Sequence, residues 1–315
     1  MQKYIRTQNE LQNLPTDTPS DLSFNSTHQF MAVSAWDNSL RFYNYSTPPY
    51  TMKSQYLHDR PLLCCTFNPT NTHCYAGGGD GKLIIYDLYT GQAVHHQAHD
   101  GGIRYIKNMS NILVTVSFDK TIKFWDYRQP KPVHTLNLPD RIISFDCTNE
   151  MLFCCTPNNQ LTSYDLNNIN TPKQHKSRLN WQIRSLKCNS DNDIVILGGI
   201  EGRIEVKSLN TPSKGYLFKI CKTTTEVTSI NCISMLPSNN DLISIGESDG
   251  TFTLINTNAR TRSDILNFKS PVVVCKFSDD SKYLGIASGY DWSKGYEPTV
   301  LPNEIRIVNI DNTRI

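Results

Sequence analysis

Alternation dominates the chain. Apolar and polar residues change places over runs of five to seven, with small or polar residues between the runs, which is the period of a half-buried strand and not of a helix. One frame recurs: small residues, then an Asp or its relative, then an alternating run that ends on an aromatic or aliphatic residue. It is clearest in Gly79-Asp80-Gly81-Lys82-Leu83-Ile84-Ile85-Tyr86-Asp87, in Trp36-Asp37-Asn38-Ser39-Leu40-Arg41-Phe42-Tyr43 and in Phe118-Asp119-Lys120-Thr121-Ile122-Lys123-Phe124-Trp125-Asp126. Degraded copies lie at Asn158 to Tyr164, Glu201 to Lys207 and Asp249 to Ile255, and Asp291 is offered as a seventh that carries an insertion. A second apolar run precedes each turn, as at Gln29 to Val33, Ile112 to Val116, Ile194 to Leu197, Asp241 to Ile245 and Tyr283 to Ala287. Each unit therefore predicts a β-hairpin in which Asp-Gly or a relative makes the turn.

The frames start at 37, 80, 119, 158, 201, 249 and 291, with spacings of 43, 39, 39, 43, 48 and 42 residues. That period is the length of a WD-type propeller blade, and seven such blades fill nearly the whole chain. The fold class predicted is all-β: a single seven-bladed WD40 β-propeller over residues 1–315, closed by strands from both termini. In this reading Ser20 to Phe24 is completed by Ile305 to Ile310, which leaves no open sheet edge, and a short N-terminal segment of about 1–15 stays mobile.

Composition adds exclusions. The 315 residues are 38 % hydrophobic, 10 % aromatic and 19 % charged, with a formal net charge of +2, so a core can form and bulk charge names no partner. The N-terminus has polar residues where a signal peptide needs an apolar core, and no apolar run nears the roughly 20 residues that span a bilayer. A soluble protein in a reducing compartment is expected, with no direct membrane insertion. The ten cysteines form no C-x-x-C pair and mostly sit in apolar runs, which reads as buried packing and no metal site.

No cofactor signature appears: Gly77-Gly78-Gly79 runs into a strand and not a helix, and His95-His96 lacks a carboxylate or thiolate at ligand spacing. His99, Ser117 and Asp119 are the residue types of a hydrolytic triad. Yet His99, Thr115 or Ser117, Asp119 and Trp125 also occupy the places where WD repeats hydrogen-bond across a blade, and the structural reading is preferred. No catalytic residue is assigned and the protein reads as a non-enzyme. One charge asymmetry stands out. Between Thr171 and Lys222 ten basic residues face four acidic ones, so this stretch carries +6 and the remainder −4, a sector suited to acidic peptide, phosphopeptide or nucleic acid.

In register, the chain resembles two sister propellers: the mRNA export factor of the nuclear pore, of Rae/Gle type, and the spindle-checkpoint propeller of the Bub family. The resemblance rests on Ser34-Ala35-Trp36-Asp37-Asn38-Ser39-Leu40-Arg41, Lys123-Phe124-Trp125-Asp126-Tyr127-Arg128, Trp181-Gln182-Ile183-Arg184, Ile200-Glu201-Gly202-Arg203-Ile204 and Phe218-Lys219. Leu138-Pro139-Asp140-Arg141, Asn258-Ala259-Arg260-Thr261 and Tyr290-Asp291-Trp292-Ser293-Lys294-Gly295 look like the export factor. Pro61-Leu62-Leu63-Cys64-Cys65, Ile103-Arg104 and the stretch from Glu297-Pro298 to Ile305 look like the checkpoint sister. The export factor is the preferred match.

The resemblance implies a scaffold that binds a helical-hairpin peptide, the GLEBS motif, across one propeller face. In the export factor its source is a nucleoporin. In the sister it is a checkpoint kinase, and a phosphorylated kinetochore peptide is read as well. A monomeric propeller within a heteromeric complex is implied, located in the nucleus and at the nuclear pore, or at the kinetochore for the sister. By position the peptide face takes in Trp36, Phe118 (where the family usually has Trp), Arg184 and Arg203. Aromatic anchors and bidentate arginine suit such a role. A nucleic-acid or acidic-peptide site resembles Phe218, Lys219, Arg260 and Arg262, with RNA as the further ligand. Ile255 stands where the family has a stacking Trp, and Ile220-Cys221-Lys222 replaces Cys-His-Arg, so base stacking is expected to be weaker.

Overall fold

The computed structural model describes residues 3–109, 111–129, 131–220, 227–293, 295–296, 301–311 and 313. The alternating runs become strands, and these pair into seven four-stranded antiparallel sheets. The innermost strands are Pro19–Asn25, Leu62–Phe67, Ile103–Met109, Ser144–Cys147, Ile183–Cys188, Ile230–Leu236 and Val272–Phe277. Each packs beside the next and the last packs beside the first, so the sheets close into a seven-bladed propeller around a central channel. Among the described residues the only helical element is a 3-10 turn at Pro212–Lys214, and no helix is long and apolar enough to cross a membrane.

The predicted hairpins join the second and third strands of the first six blades. In each, the residue after the frame's first position holds a left-handed backbone: Asn38, Gly81, Lys120, Asn159, Gly202 and Gly250, with φ from 61° to 85°. Gly81 shows why one of these cannot carry a side chain, since a Cβ there would lie 2.2 Å from the His99 carbonyl oxygen. Around these turns the buried apolar side chains gather into seven clusters, one in each gap between neighbouring blades. Ala32, Leu40 and Phe42 of the first blade, for example, meet Leu62, Cys65 and Ile84 of the second. Both faces of every sheet are therefore covered, which accounts for the apolar runs. Eight of the nine described cysteines are buried in this packing and Cys232 is half-buried; all nine are free thiols. Cys221 lies outside the described residues.

Closure departs from the sequence expectation. The first blade is complete in itself, from Pro19–Asn25 through Phe30–Ala35 and Ser39–Asn44 to Thr51–Leu57. Ile305 to Ile310 instead belongs to the third strand of the seventh blade, Glu304–Ile310, and the N-terminal strand Ile5–Glu10 pairs with it as that blade's outer edge. Of the segment of about 1–15 expected to be mobile, residues 1–2 lie outside the described residues, and the chain after this strand packs against the first blade. Leu11 is buried, and the Arg41 guanidinium donates to the carbonyls of Asn13 and Leu14 at 2.7 Å. Both termini do clasp the ring, with the two partners joined inside the last blade.

Candidate functional site

Strand direction sorts the loops onto two faces. One face, called upper here, carries the hairpin turns between second and third strands together with the links from each outer strand to the next inner one; Pro19 pairs with Ala35 there, and Ser39 with Leu57. Trp36 and Phe118 take the same place in their blades, directly before the turn Asp. Their backbone N–H groups donate to Thr18 and Gly102 carbonyls at 3.0 Å, while Asp37 and Asp119 fix the turns by accepting from Ser39 and Thr121 N–H. The rings are consequently held out from the face, 50 % and 47 % exposed.

Two further tryptophans share this face and were assigned no role from the sequence. Trp181, 64 % exposed, lies in the link into the fifth blade, and Trp292, 62 % exposed, lies in the long loop of the seventh. With Val227 and Tyr296 they make six of the eleven large exposed apolar residues among those described, all in upper-face loops. Large apolar side chains gathered on one exposed face are the kind of surface that partners use. The available signal was the residue type itself, since tryptophan in a polar loop is costly to leave in water. Trp292 also holds φ 58°, rare for a bulky residue.

The arginines stand at two different depths. Arg184 is the second residue of its inner strand and lies at the mouth of the channel, where its guanidinium is 3.7 Å from the carboxylate of Asp291 and donates to Ser229 Oγ at 3.3 Å. Arg203 opens the third strand of the fifth blade, 3.9 Å from Glu201. Its cross-strand partner is Lys219, so one residue of each expected set falls in one basic pair. The rest of the second set lies along the seam between blades five and six. Phe218 packs half-buried against that seam with its ring 5.8 Å from Tyr216. The Arg260 guanidinium lies over the Tyr216 ring at 4.3 Å, and Arg262 donates to the carbonyls of Lys219 and Ile220 at 3.0 and 2.7 Å. Ile255 is buried in the same seam.

The basic stretch is less free than its count suggests. Lys187 faces Asp146 inside the channel at 3.2 Å, and Lys207 donates to the Lys176 carbonyl at 2.7 Å. Lys222 lies outside the described residues. In the third blade the Trp125 indole N–H donates to Thr115 Oγ1 at 2.8 Å, Thr115 lies 2.7 Å from His99 Nε2, and His99 Nδ1 lies 2.9 Å from Asp119. The acceptor order implies a neutral imidazole protonated on Nδ1. Burial holds the His99 imidazole below its ordinary pKa, against the pull of Asp119. Ser117 stands apart, donating to the Gly101 carbonyl.

The family model "WD domain, G-beta repeat" matches residues 9–44, 50–87 and 91–126. Over nearly the full length the chain is similar to the Poly(A)+ RNA export protein of Schizosaccharomyces pombe, 30 % identical across 95 % of this chain and 89 % of that one. It is 32 % identical to mRNA export factor GLE2 of Chaetomium thermophilum across 91 % and 85 % of the two chains, and 31 % identical to Protein Rae1 of Drosophila melanogaster across 91 % and 89 %. The chain belongs to the Rae1/Gle2 family. The solved WD40 repeats of RRP9 superpose with a TM-score of 0.83 at 14 % identity, covering 98 % of this chain and 99 % of that one, a likeness of fold alone. For a Rae1/Gle2 chain the site geometry separates into an aromatic upper face with Arg184 and Arg203 at its centre and edge, and a lateral basic seam with aromatic backing.

Proposed function

We propose that this protein is a non-catalytic scaffold of mRNA export, which docks a GLEBS-type hairpin peptide of a nucleoporin on its upper face at the nuclear pore. The observation that carries the reading is the gathering of Trp36, Phe118, Trp181 and Trp292, each about half exposed or more, around basic residues on one face. Such rings bury large area at little entropy cost, and arginine selects peptide carboxylates. Export is favoured over the checkpoint role by the names of the relatives that match along 91–95 % of the chain. The engagement of His99, Thr115, Asp119 and Trp125 in one cross-blade hydrogen-bond chain supports the non-catalytic part.

Lys219, Phe218, Arg260 and Arg262 form a second, weaker site on the lateral seam, suited to acidic peptide or RNA backbone. The test is calorimetric titration of the full chain with a synthetic nucleoporin GLEBS hairpin. A saturable one-to-one isotherm that Trp36→Ala abolishes is expected; no binding refutes the docking role. Strong preference for a phosphorylated kinetochore peptide over its unmodified form would move the same face to the checkpoint reading.

A further inference from the structure

The channel through the ring holds about 490 Å³, and its charges do not balance locally. Five cations project from the inner strands of blades three, five and seven: Arg104, Lys107, Arg184, Lys187 and Lys276. Lys276 is matched by Asp21 at 3.3 Å, and Arg184 faces Asp291. Lys107 and Lys187 must share one carboxylate, that of Asp146, from opposite neighbouring blades. Asp146 is already saturated, since it also accepts the Cys188 N–H at 3.0 Å. Arg104, three residues before Lys107 on the same strand, has no carboxylate within salt-bridge distance among the described residues; its contacts are the Leu63 carbonyl at 3.4 Å and the Tyr105 ring at 4.7 Å. Asp279, the remaining channel carboxylate, lies on the loop after the seventh inner strand; burial raises its pKa, while Lys276, Lys107 and Lys187 all act on it.

We propose that the channel is a binding site for a compact multivalent phosphate, held by Lys107 and Lys187 with Arg104 closing over it. The local excess is about one positive charge, in a solvent-accessible tube walled by sheet where screening by bulk salt is reduced. Lysine supplies point charges and arginine a fork, the donor set that phosphate oxygens select. The unequal fate of the two lysines agrees: burial pulls Lys187 below its ordinary range against Asp146, whereas Lys107 is held above its own range by Asp146 despite the same burial. An arriving anion supplies the missing countercharge. Lys107 and Lys187 lie three residues deeper along their strands than Arg104 and Arg184, and Arg184 takes no part in holding the anion, so the site stands or falls independently of the docking role.

Lys187→Met removes the surplus cation and leaves Lys107 and Asp146 as a balanced pair, so the variant is expected to fold as well as the parent. The probe is sodium pyrophosphate, titrated calorimetrically into the full chain at physiological salt, with thermal melting alongside. One saturable site is expected, weakened about tenfold or more by Lys187→Met and by Arg104→Gln and unchanged by Lys131→Gln, which removes a lysine from an exposed loop. Pyrophosphate should raise the melting temperature of the parent and not of Lys187→Met. Inositol hexakisphosphate binding more tightly than pyrophosphate identifies an organic polyphosphate as the source, and the reverse order a free inorganic one. Absence of a saturable site, or equal weakening by Lys131→Gln, overturns the proposal.

Discussion

The carboxylate of Asp291 lies 3.7 Å from the guanidinium of Arg184, with its side chain only 1 % exposed. Asp291 marks the seventh frame, yet it makes no short hairpin. It sits in a long loop, accepts from Asn231 Nδ2 at 3.1 Å and from the Ser293 N–H at 3.1 Å, and so ties blade seven to the inner strands of blades five and six. The arginine that the peptide-clamp reading needs is therefore already facing an internal carboxylate.

Asp291→Asn removes that charge and leaves most of the volume. The loop loses a charge-assisted contact, which costs about 1–3 kcal/mol and lowers the melting temperature by several degrees. Arg184 is freed at the same time, and affinity for an acidic hairpin peptide is expected to rise severalfold in a fluorescence-polarisation titration. A fall in affinity would instead show that Asp291 serves to aim the arginine. Arg184→Glu would place two carboxylates together and lose both stability and binding, so the asparagine variant is the cleaner probe.

Trp36→Ala and Trp292→Ala separate binding from folding. Both rings are more than half in solvent or close to it, so each truncation should change unfolding free energy by no more than about 0.5 kcal/mol. If they anchor a peptide, each costs about 2 kcal/mol or more of binding. Urea melts and calorimetry on the same preparations read the two effects. For Trp292 the left-handed backbone adds a control, since Trp292→Gly relieves the φ of 58° and should be at least as stable as the alanine variant.

These aromatic positions also show what was legible in the sequence. Trp36 and Phe118 precede turn aspartates whose spacing gives the blade period, so frame and site could be read together. Trp181 lies outside the frame and Trp292 stands in its seventh, insertion-bearing copy, and the exposure of both follows from tertiary loop paths. The edge strand Ile5–Glu10 escaped for a related reason: it is partly or fully exposed along its length and has little alternation to detect. Arg262 was identifiable as basic, but its use in capping the Lys219 and Ile220 carbonyls depends on how two blades meet.

The chain from Trp125 through Thr115 to His99 gives blade three a testable weak point. Thr115→Val keeps the shape but leaves the indole N–H and His99 Nε2 buried and unpaired, for a cost of about 1–3 kcal/mol per group. The pH dependence has a defined sign. Burial depresses the folded His99 pKa, so the unfolded chain takes up a proton first, near the ordinary histidine value of about 6.5. This contribution is complete above that pH and is lost as pH falls below it. Melting curves between pH 7.5 and 5.5 should show a shallower decline for His99→Gln, with a residual slope because His95 and His175 are shifted the same way by burial.

Asp146 is the converse case. Burial alone would raise its pKa, but the ammonium groups of Lys107 and Lys187 overcome this and hold the carboxyl well below the usual carboxylate range. Its stabilisation is present above the unfolded value of about 3.9 and is lost as pH falls below it. Asp146→Asn leaves two lysines in the channel without their countercharge. A loss of about 3 kcal/mol is expected, at the low end for one half of a buried pair because both lysines retain some contact with channel water. Chemical denaturation measures it, and Lys187→Met in the same background should recover part of the loss by removing one of the stranded cations.

The lateral seam tests the RNA reading through salt dependence. Arg260 stacks on Tyr216 with its charge exposed, whereas Arg262 is committed to two backbone carbonyls, and the buried Ile255 offers no ring to a base. Affinity for single-stranded RNA should therefore be electrostatic and insensitive to sequence. Arg260→Gln is expected to reduce the slope of log affinity against log salt by about 0.7, the share of one contact on a single strand, with stability unchanged. Arg262→Gln should lower the melting temperature and alter that slope less. If the two variants change the slope equally, Arg262 leaves its carbonyls to reach the phosphate backbone, and the seam must open when RNA binds.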